Sequence, residues 1–96
     1  MDNNEFETKP WWVYIIQTHK GLLYTGCTTD IERRFREHQS GGTKAAKFLK
    51  GKGPLELRYR EQVNDKSTAL KREIEIKKMP RSKKLTLISM GSKTEK

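Results

Sequence analysis

Two short runs of β-branched and aromatic residues, WWVYIIQT and LLYTGCT, follow one another with almost nothing between them, and this pair limits the fold more than anything else in the chain. Pro10 bounds the first run on one side and the turn-like THKG on the other, so the two pair as an antiparallel hairpin with Lys20 and Gly21 in its turn. Thr29 stands three residues before Glu32, the spacing of a capping box, and starts a helix that runs to about Gln39, where Gly41 and Gly42 stop it.

The loop GGTKAAKFLKGKGP holds one helical turn around Ala45 to Leu49. In LELRYREQV, Leu55, Leu57, Tyr59 and Val63 alternate with polar residues, as in a half-buried strand. Asp65 to Ser67 offer N-caps for a second helix ending near Pro80, and a last helix runs from about Ser82 to Met90 with Leu85 and Ile88 inward. The order β-β-α-β-α-α gives an α+β fold, a three-stranded antiparallel sheet flanked by helices. At 96 residues this is one domain over 10–90, preceded by a polar N-terminal segment over 1–9 and followed by a disordered tail over 91–96.

With 32% apolar residues the core is modest, and a net charge of +9 points to a polyanionic partner. The charge sits in the body of the domain: residues 33–84 hold 17 Lys or Arg against 6 Asp or Glu. From His38 to Leu55 there are four lysines (Lys44, Lys47, Lys50 and Lys52) and no acid, which suits contacts to phosphates. Cys27 is the one cysteine and has no internal disulfide partner; it reads as a small packing residue. The spacing of Cys27, His19 and His38 does not fit a zinc site. No secretory leader or bilayer-length apolar run is visible, so a reduced, cytoplasmic protein with no membrane contact is expected.

Ile31, Arg34, Phe35 and His38 share one stripe of the first helix, while Leu70, Glu73, Ile74 and Lys77 form a stripe of the second. Each helix therefore turns an ionisable group inward, and a buried charge needs a partner or a cleft. An Arg34–Glu73 salt bridge between the helices is one solution, and a functional cleft is the other. Tyr14 and Tyr24 lie ten residues apart with the hairpin turn between them, which makes them near neighbours across the two strands in a register the sequence leaves open.

VYI, then YTG ten residues on, then Arg34 and His38 in ERRFREH and Glu73 in ALKREIEIKK, together resemble the GIY-YIG nuclease superfamily. The likeness covers about residues 11–80. It is strongest to small stand-alone bacterial members, with a local similarity to the structure-selective endonuclease branch in YTG-x7-R-x3-H. Trp12 and Val13 replace the glycine and isoleucine of the first motif, and Thr25 replaces the isoleucine of the second.

The resemblance implies an endonuclease acting on DNA ahead of RNA, using Mg2+ or Mn2+, with a place in DNA repair or recombination. It implies that Glu73 binds the metal, that Arg34 stabilises the transition state and that Tyr14 and Tyr24 activate and position water or phosphate, in either order. His38 assists proton transfer or bonds a phosphate. Gly26 matches the motif glycine, where backbone or phosphate can come close. Lys44, Lys47, Lys50, Lys52, Arg58, Arg60 and Lys77 are candidates for gripping the nucleic-acid backbone. Two other classes fit the same charge pattern: a nucleic-acid-binding module with a vestigial site that relies on a protein partner for affinity, and a basic protein-interaction domain.

Overall fold

The computed structural model describes residues 9–91; the expected polar N-terminal segment up to residue 8 and the expected tail beyond Gly91 lie outside the described residues. The elements follow the order read from the sequence. β1 (Trp11–Gln17) and β2 (Leu23–Thr28) form the hairpin; α1 (Ile31–Ser40), a 3-10 turn over Lys47–Leu49, β3 (Glu56–Val63), α2 (Lys66–Lys77) and α3 (Arg81–Met90) follow. The antiparallel sheet has the order β2-β1-β3.

β1 is central and covered on both faces, so Val13, Tyr14, Ile15 and Ile16 are all buried. Val13 and Ile15 pack with Tyr59, Ala69 and Ile76 under α2 and α3. On the opposite face Tyr14 and Ile16 pack with Ile31, Leu49 and Leu55 under α1 and the loop that follows it. Each fully buried aliphatic side chain of this kind contributes about 1.5–3 kcal/mol. Trp11 joins the first cluster and Trp12 the second, so the paired tryptophans straddle the sheet and both are half-buried. The hairpin turn closes with Thr18, whose N–H donates to the Leu22 carbonyl at 2.9 Å and whose hydroxyl accepts from the Leu22 N–H at 3.0 Å; Gly21 supplies the left-handed residue (φ 92°).

Four local expectations are corrected. α1 is capped by Asp30, not Thr29: the Asp30 carboxylate accepts from the Arg33 N–H at 3.1 Å, while the Thr28 hydroxyl accepts from the Asp30 N–H. The single alternation in β3 is interrupted, because Ile15 pairs with Tyr59 and the next residue, Ile16, pairs with Leu57. Arg58 is the extra residue of this β-bulge, and Leu57 and Tyr59 consequently face opposite layers. On α2 the buried positions are Ala69 and Ile76; Leu70 and Ile74 are 44% and 54% exposed, so the expected stripe is displaced by one residue. On α3, Leu87 and Ile88 pack on the core and Leu85 is exposed. No helix among the described residues is long and apolar enough to cross a membrane.

Candidate active site

The hairpin register decides where the two tyrosines go. Tyr14 pairs with Gly26 and Tyr24 with Ile16, which puts both phenols on the α1 face of the sheet as diagonal neighbours, ring centroids 6.4 Å apart. Gly26 makes this packing feasible. A Cβ there would stand 2.5 Å from the Tyr14 hydroxyl oxygen and 2.7 Å from the ring carbon that carries it. The space its missing side chain leaves is therefore filled by Tyr14 itself.

α1 brings the next groups onto the same face. Its apolar anchor Ile31 is buried, and one and two turns further along the stripe come Arg34 and His38. His38 is 1% exposed and uses both ring nitrogens. The Ala46 N–H donates to Nδ1 at 3.2 Å, and a backbone amide can only donate, so Nδ1 carries no proton. The tautomer assigned from this network has its hydrogen on Nε2, which donates to the Tyr14 oxygen at 2.9 Å. Burial, reinforced by the Arg34 charge, pushes the imidazole down to about 4, so the ring is neutral at pH 7.

Arg34 acts on the same phenol: its positive charge lies close enough to favour the Tyr14 phenolate. Burial and the neighbouring Tyr24 raise the Tyr14 pKa well above the ordinary phenol value, and the charge of Arg34 opposes them. At rest Tyr14 is a protonated phenol whose oxygen faces the His38 Nε2–H beside the Arg34 charge. Arg34 Nη1 donates as well to Glu37 Oε1 at 2.8 Å and to the Lys44 carbonyl at 2.7 Å. The lysine loop is thus tied to α1 at two points, through Arg34 and through His38. An open depression of about 460 Å³ runs from Arg33, Arg34 and Lys44 across to Cys27.

Glu73 approaches from α2, which packs on β1 and β2. Its carboxylate pairs with Lys77 at 2.7 Å and lies near the Cys27 thiol, whose pKa is pushed up to about 12 by burial first and Glu73 second. The Arg34–Glu73 bridge open to the sequence does not form, since Arg34 pairs with Glu37 and Glu73 with Lys77. Glu73 and Tyr24 still sense one another. Burial raises the Tyr24 pKa, Lys77 and Arg34 lower it, and Glu73 raises it again. Tyr24 therefore stands between the Arg34 and His38 group and the Glu73 and Lys77 pair.

No group of three or more His, Cys, Asp or Glu that could hold a metal occurs among the described residues. A lone carboxylate does fit a hard divalent cation that keeps several waters and completes its shell with substrate phosphate. It does not fit a closed protein cage. Of the expected backbone contacts, Lys44, Lys47 and Lys50 are exposed on the loop. Lys52 bonds the Phe48 carbonyl at 2.7 Å and lies 4.7 Å over the Phe48 ring. Arg58 donates to Gln17, Arg60 lies 5.3 Å over Trp12 and 3.7 Å from Glu32, and Lys77 is held by Glu73.

Two residues at the site escaped the sequence reading. Glu37 lies three residues after Arg34 on the helix, a spacing that favours an ion pair. Phe48 was visible as the one aromatic in the lysine loop, and its ring stacks on Tyr24 at 5.9 Å.

Comparison with known proteins gives a consistent picture. The model of the GIY-YIG catalytic domain family matches residues 10–86. The UPF0213 protein YhbQ of Escherichia fergusonii is 47% identical over 83 residues, covering 86% of this chain and 81% of the relative. A UPF0213 protein of Citrobacter koseri is 46% identical over 82 residues, covering 85% and 80%. Among solved structures, the solution NMR structure of a UPF0213 protein from Bacillus halodurans superimposes with a TM-score of 0.54 at 40% identity, covering 84% of each chain.

Proposed function

The chain belongs to the GIY-YIG family, among the small UPF0213 proteins, and from that membership we propose that it is an endonuclease hydrolysing nucleic-acid phosphodiester bonds with a divalent cation, Mg2+ or Mn2+. Membership supports a nucleic-acid-binding role in general; cleavage, and DNA ahead of RNA, are the finer reading. A cytoplasmic location and a task in DNA repair or recombination belong to the same proposal.

One observation carries it. Tyr14, Tyr24 and His38 converge on one sheet face, joined by a hydrogen bond and ring contacts, with the Arg34 charge acting on both phenols, while Glu73 reaches the β2 edge from the other layer. A structural role explains one buried polar pair; it does not explain two phenols, a guanidinium and a neutral imidazole beside an open basic depression.

In this mechanism Arg34 bridges the phenol and the scissile phosphate. Nη1 already holds Glu37 and the Lys44 carbonyl, and the rest of its planar donor fork serves Tyr14 and the charge that grows on the phosphoryl oxygens. Tyr14 first gives its phenol proton to solvent; the phenolate, stabilised by the His38 Nε2–H and by the Arg34 charge against the cost of burial, then accepts the proton of the attacking water. His38 keeps the phenol oriented and its own proton on Nε2. Tyr24, less buried, orients water or phosphate; the two phenols could exchange these tasks. Glu73 would hold the cation, releasing Lys77 to a phosphate oxygen. When bound, that ion supplies Lewis-acid polarisation of the phosphate and a more acidic water. The loop lysines and Arg60 hold the strand.

The test is cleavage of labelled single-stranded, duplex, flap and branched DNA and RNA with Mg2+ or Mn2+, wild type beside Glu73→Ala and Arg34→Ala proteins checked for folding. Wild-type cleavage that Glu73→Ala abolishes and Arg34→Ala slows on the order of 10²–10³-fold is expected. Wild-type protein that binds these substrates and cuts none would sink the enzyme reading. One observation favours a second reading, a binding module without turnover. The Glu73 carboxylate is already neutralised by Lys77 at 2.7 Å, and if a cation cannot displace that ammonium the site grips phosphate without cutting it.

A further inference from the structure

Phe48 is a large apolar side chain left 41% exposed in the middle of the most basic loop of the protein. Its position is ordered from two sides. The 3-10 turn over Lys47–Leu49 seats Leu49 in the core, and the His38–Ala46 hydrogen bond fixes the residue two positions before it. With its neighbours anchored, the Phe48 ring stands outward by construction. A burial role would have placed it as Leu49 is placed.

The ring is the outer member of a row. His38 meets Tyr24 edge-on at 5.5 Å, and Tyr24 stacks on Phe48 at 5.9 Å with 24° between the ring planes. The inner end of this row bonds Tyr14, and its outer end meets solvent. Lys52 holds its ammonium 4.7 Å over the Phe48 ring and donates to the carbonyl of the same residue. Lys52 also lines a hollow of about 200 Å³ at the hairpin turn, so its side chain has room to leave the ring. A part-exposed ring flanked by Tyr24 and by an ammonium with room beside it, with Lys47 and Lys50 on the same loop, has the composition of a surface that stacks a base and neutralises its phosphates.

We propose that Phe48 is a stacking platform for one unpaired nucleobase of the bound strand, and that it biases this site toward nucleic acid with unstacked bases over continuous duplex. The proposal rests on the nucleic-acid reading given above and adds the substrate feature that the reading leaves open. In a continuous duplex every base already has stacked neighbours, so the ring gains nothing; at a single strand, flap or junction a free base can lie on it. A base seated there is one ring away from Tyr24, which ties recognition of the unpaired nucleotide to the position of the reacting phosphate.

The experiment measures binding of fluorescein-labelled dT15, rU15 and a blunt 15-base-pair duplex by anisotropy across a salt series, with the full chain as wild type, Phe48→Ala and Phe48→Trp. Base–aromatic stacking of about 1–3 kcal/mol predicts a loss of roughly 5- to 150-fold in single-strand affinity for Phe48→Ala and recovery in Phe48→Trp. The salt slope should stay the same, since no lysine is touched, and duplex affinity should change less than about twofold. Equal binding of dT15 and rU15 by wild type and a folded Phe48→Ala protein overturns the platform while leaving the nucleic-acid reading intact. An equal loss on single strand and duplex overturns it as well. Failure of the wild type to bind any of the three probes at low salt overturns both.

Discussion

Acidification should destabilise this fold through one imidazole. The folded His38 pKa, about 4, lies below the ordinary 6.5 because burial and the Arg34 charge disfavour the cation, with Glu37 opposing. The other groups at the ring, Tyr14 and Tyr24, are neutral phenols across this range. Between these two values the unfolded chain binds the proton and the folded chain does not. The contribution of His38 is therefore complete above pH 6.5, is lost progressively as pH falls and stops changing below about 4. At 1.36 kcal/mol per unit the full loss is about 3 kcal/mol, a large share of the ~5–15 kcal/mol that holds a domain together. Its structural origin is specific: a proton on Nδ1 would face the Ala46 N–H, donor against donor. Urea unfolding followed by Trp11 and Trp12 fluorescence, at intervals from pH 7.5 to 4, should be run on wild type and His38→Gln. The amide of Gln can accept and donate in place of the ring yet does not titrate, so the carboxylates common to both proteins cancel in the difference. The wild type should lose about 3 kcal/mol relative to the variant within this window, roughly 2 M in urea midpoint. A gap that stays flat from pH 7.5 to 4 would refute both the buried neutral imidazole and its tautomer.

Gly26→Ala should be costly on both counts. The new Cβ, 2.5 Å from the Tyr14 oxygen, forces the buried phenol aside at about 1–3 kcal/mol, and displacement on the order of 1 Å should slow cleavage about 10²-fold; wild-type melting and turnover would contradict the packing. Thr25→Val should do the reverse for stability. Among the described residues the buried Thr25 hydroxyl has no hydrogen-bond partner, so its removal should raise the unfolding free energy by about 1–2 kcal/mol, and a destabilised variant would reveal a hidden partner. Replacing Lys44, Lys47 and Lys50 together by Gln should lower the slope of log affinity against log salt by about 2–3, and an unchanged slope would remove the loop from the phosphate interface.

The sheet and the helix order were legible because they rest on local signals, two strands too close in sequence to do anything but pair and a helix stripe at regular spacing, whereas Tyr14, Tyr24, Arg34 and His38 were singled out together by the family resemblance. What was not legible depends on contacts across the fold. Arg34 has one carboxylate three residues away and another on a different helix, and only the packing chose Glu37 over Glu73. On α2, Leu70 and Ile74 advertise an apolar stripe, but Ala69 and Ile76 take the buried positions against Val13, Ile15 and Tyr59. The role of Gly26 in admitting the Tyr14 phenol needed the register, which sequence parity across a turn does not supply.

The extra residue at Arg58 works like a frameshift written into the pleat. Before it, Leu55 and Leu57 speak to the layer that carries the tyrosines; after it, Tyr59 and Val63 speak to the layer that carries Glu73. The Tyr59 hydroxyl donates to Glu61, which Arg72 of α2 grips through two nitrogens, so this second half of the strand is keyed to the helix that brings the carboxylate in. Removing that single residue would restore a regular strand and exchange the faces of everything on one side of it. The spacing between the layer of Tyr14 and the layer of Glu73 is thereby entrusted to a spacer one residue long.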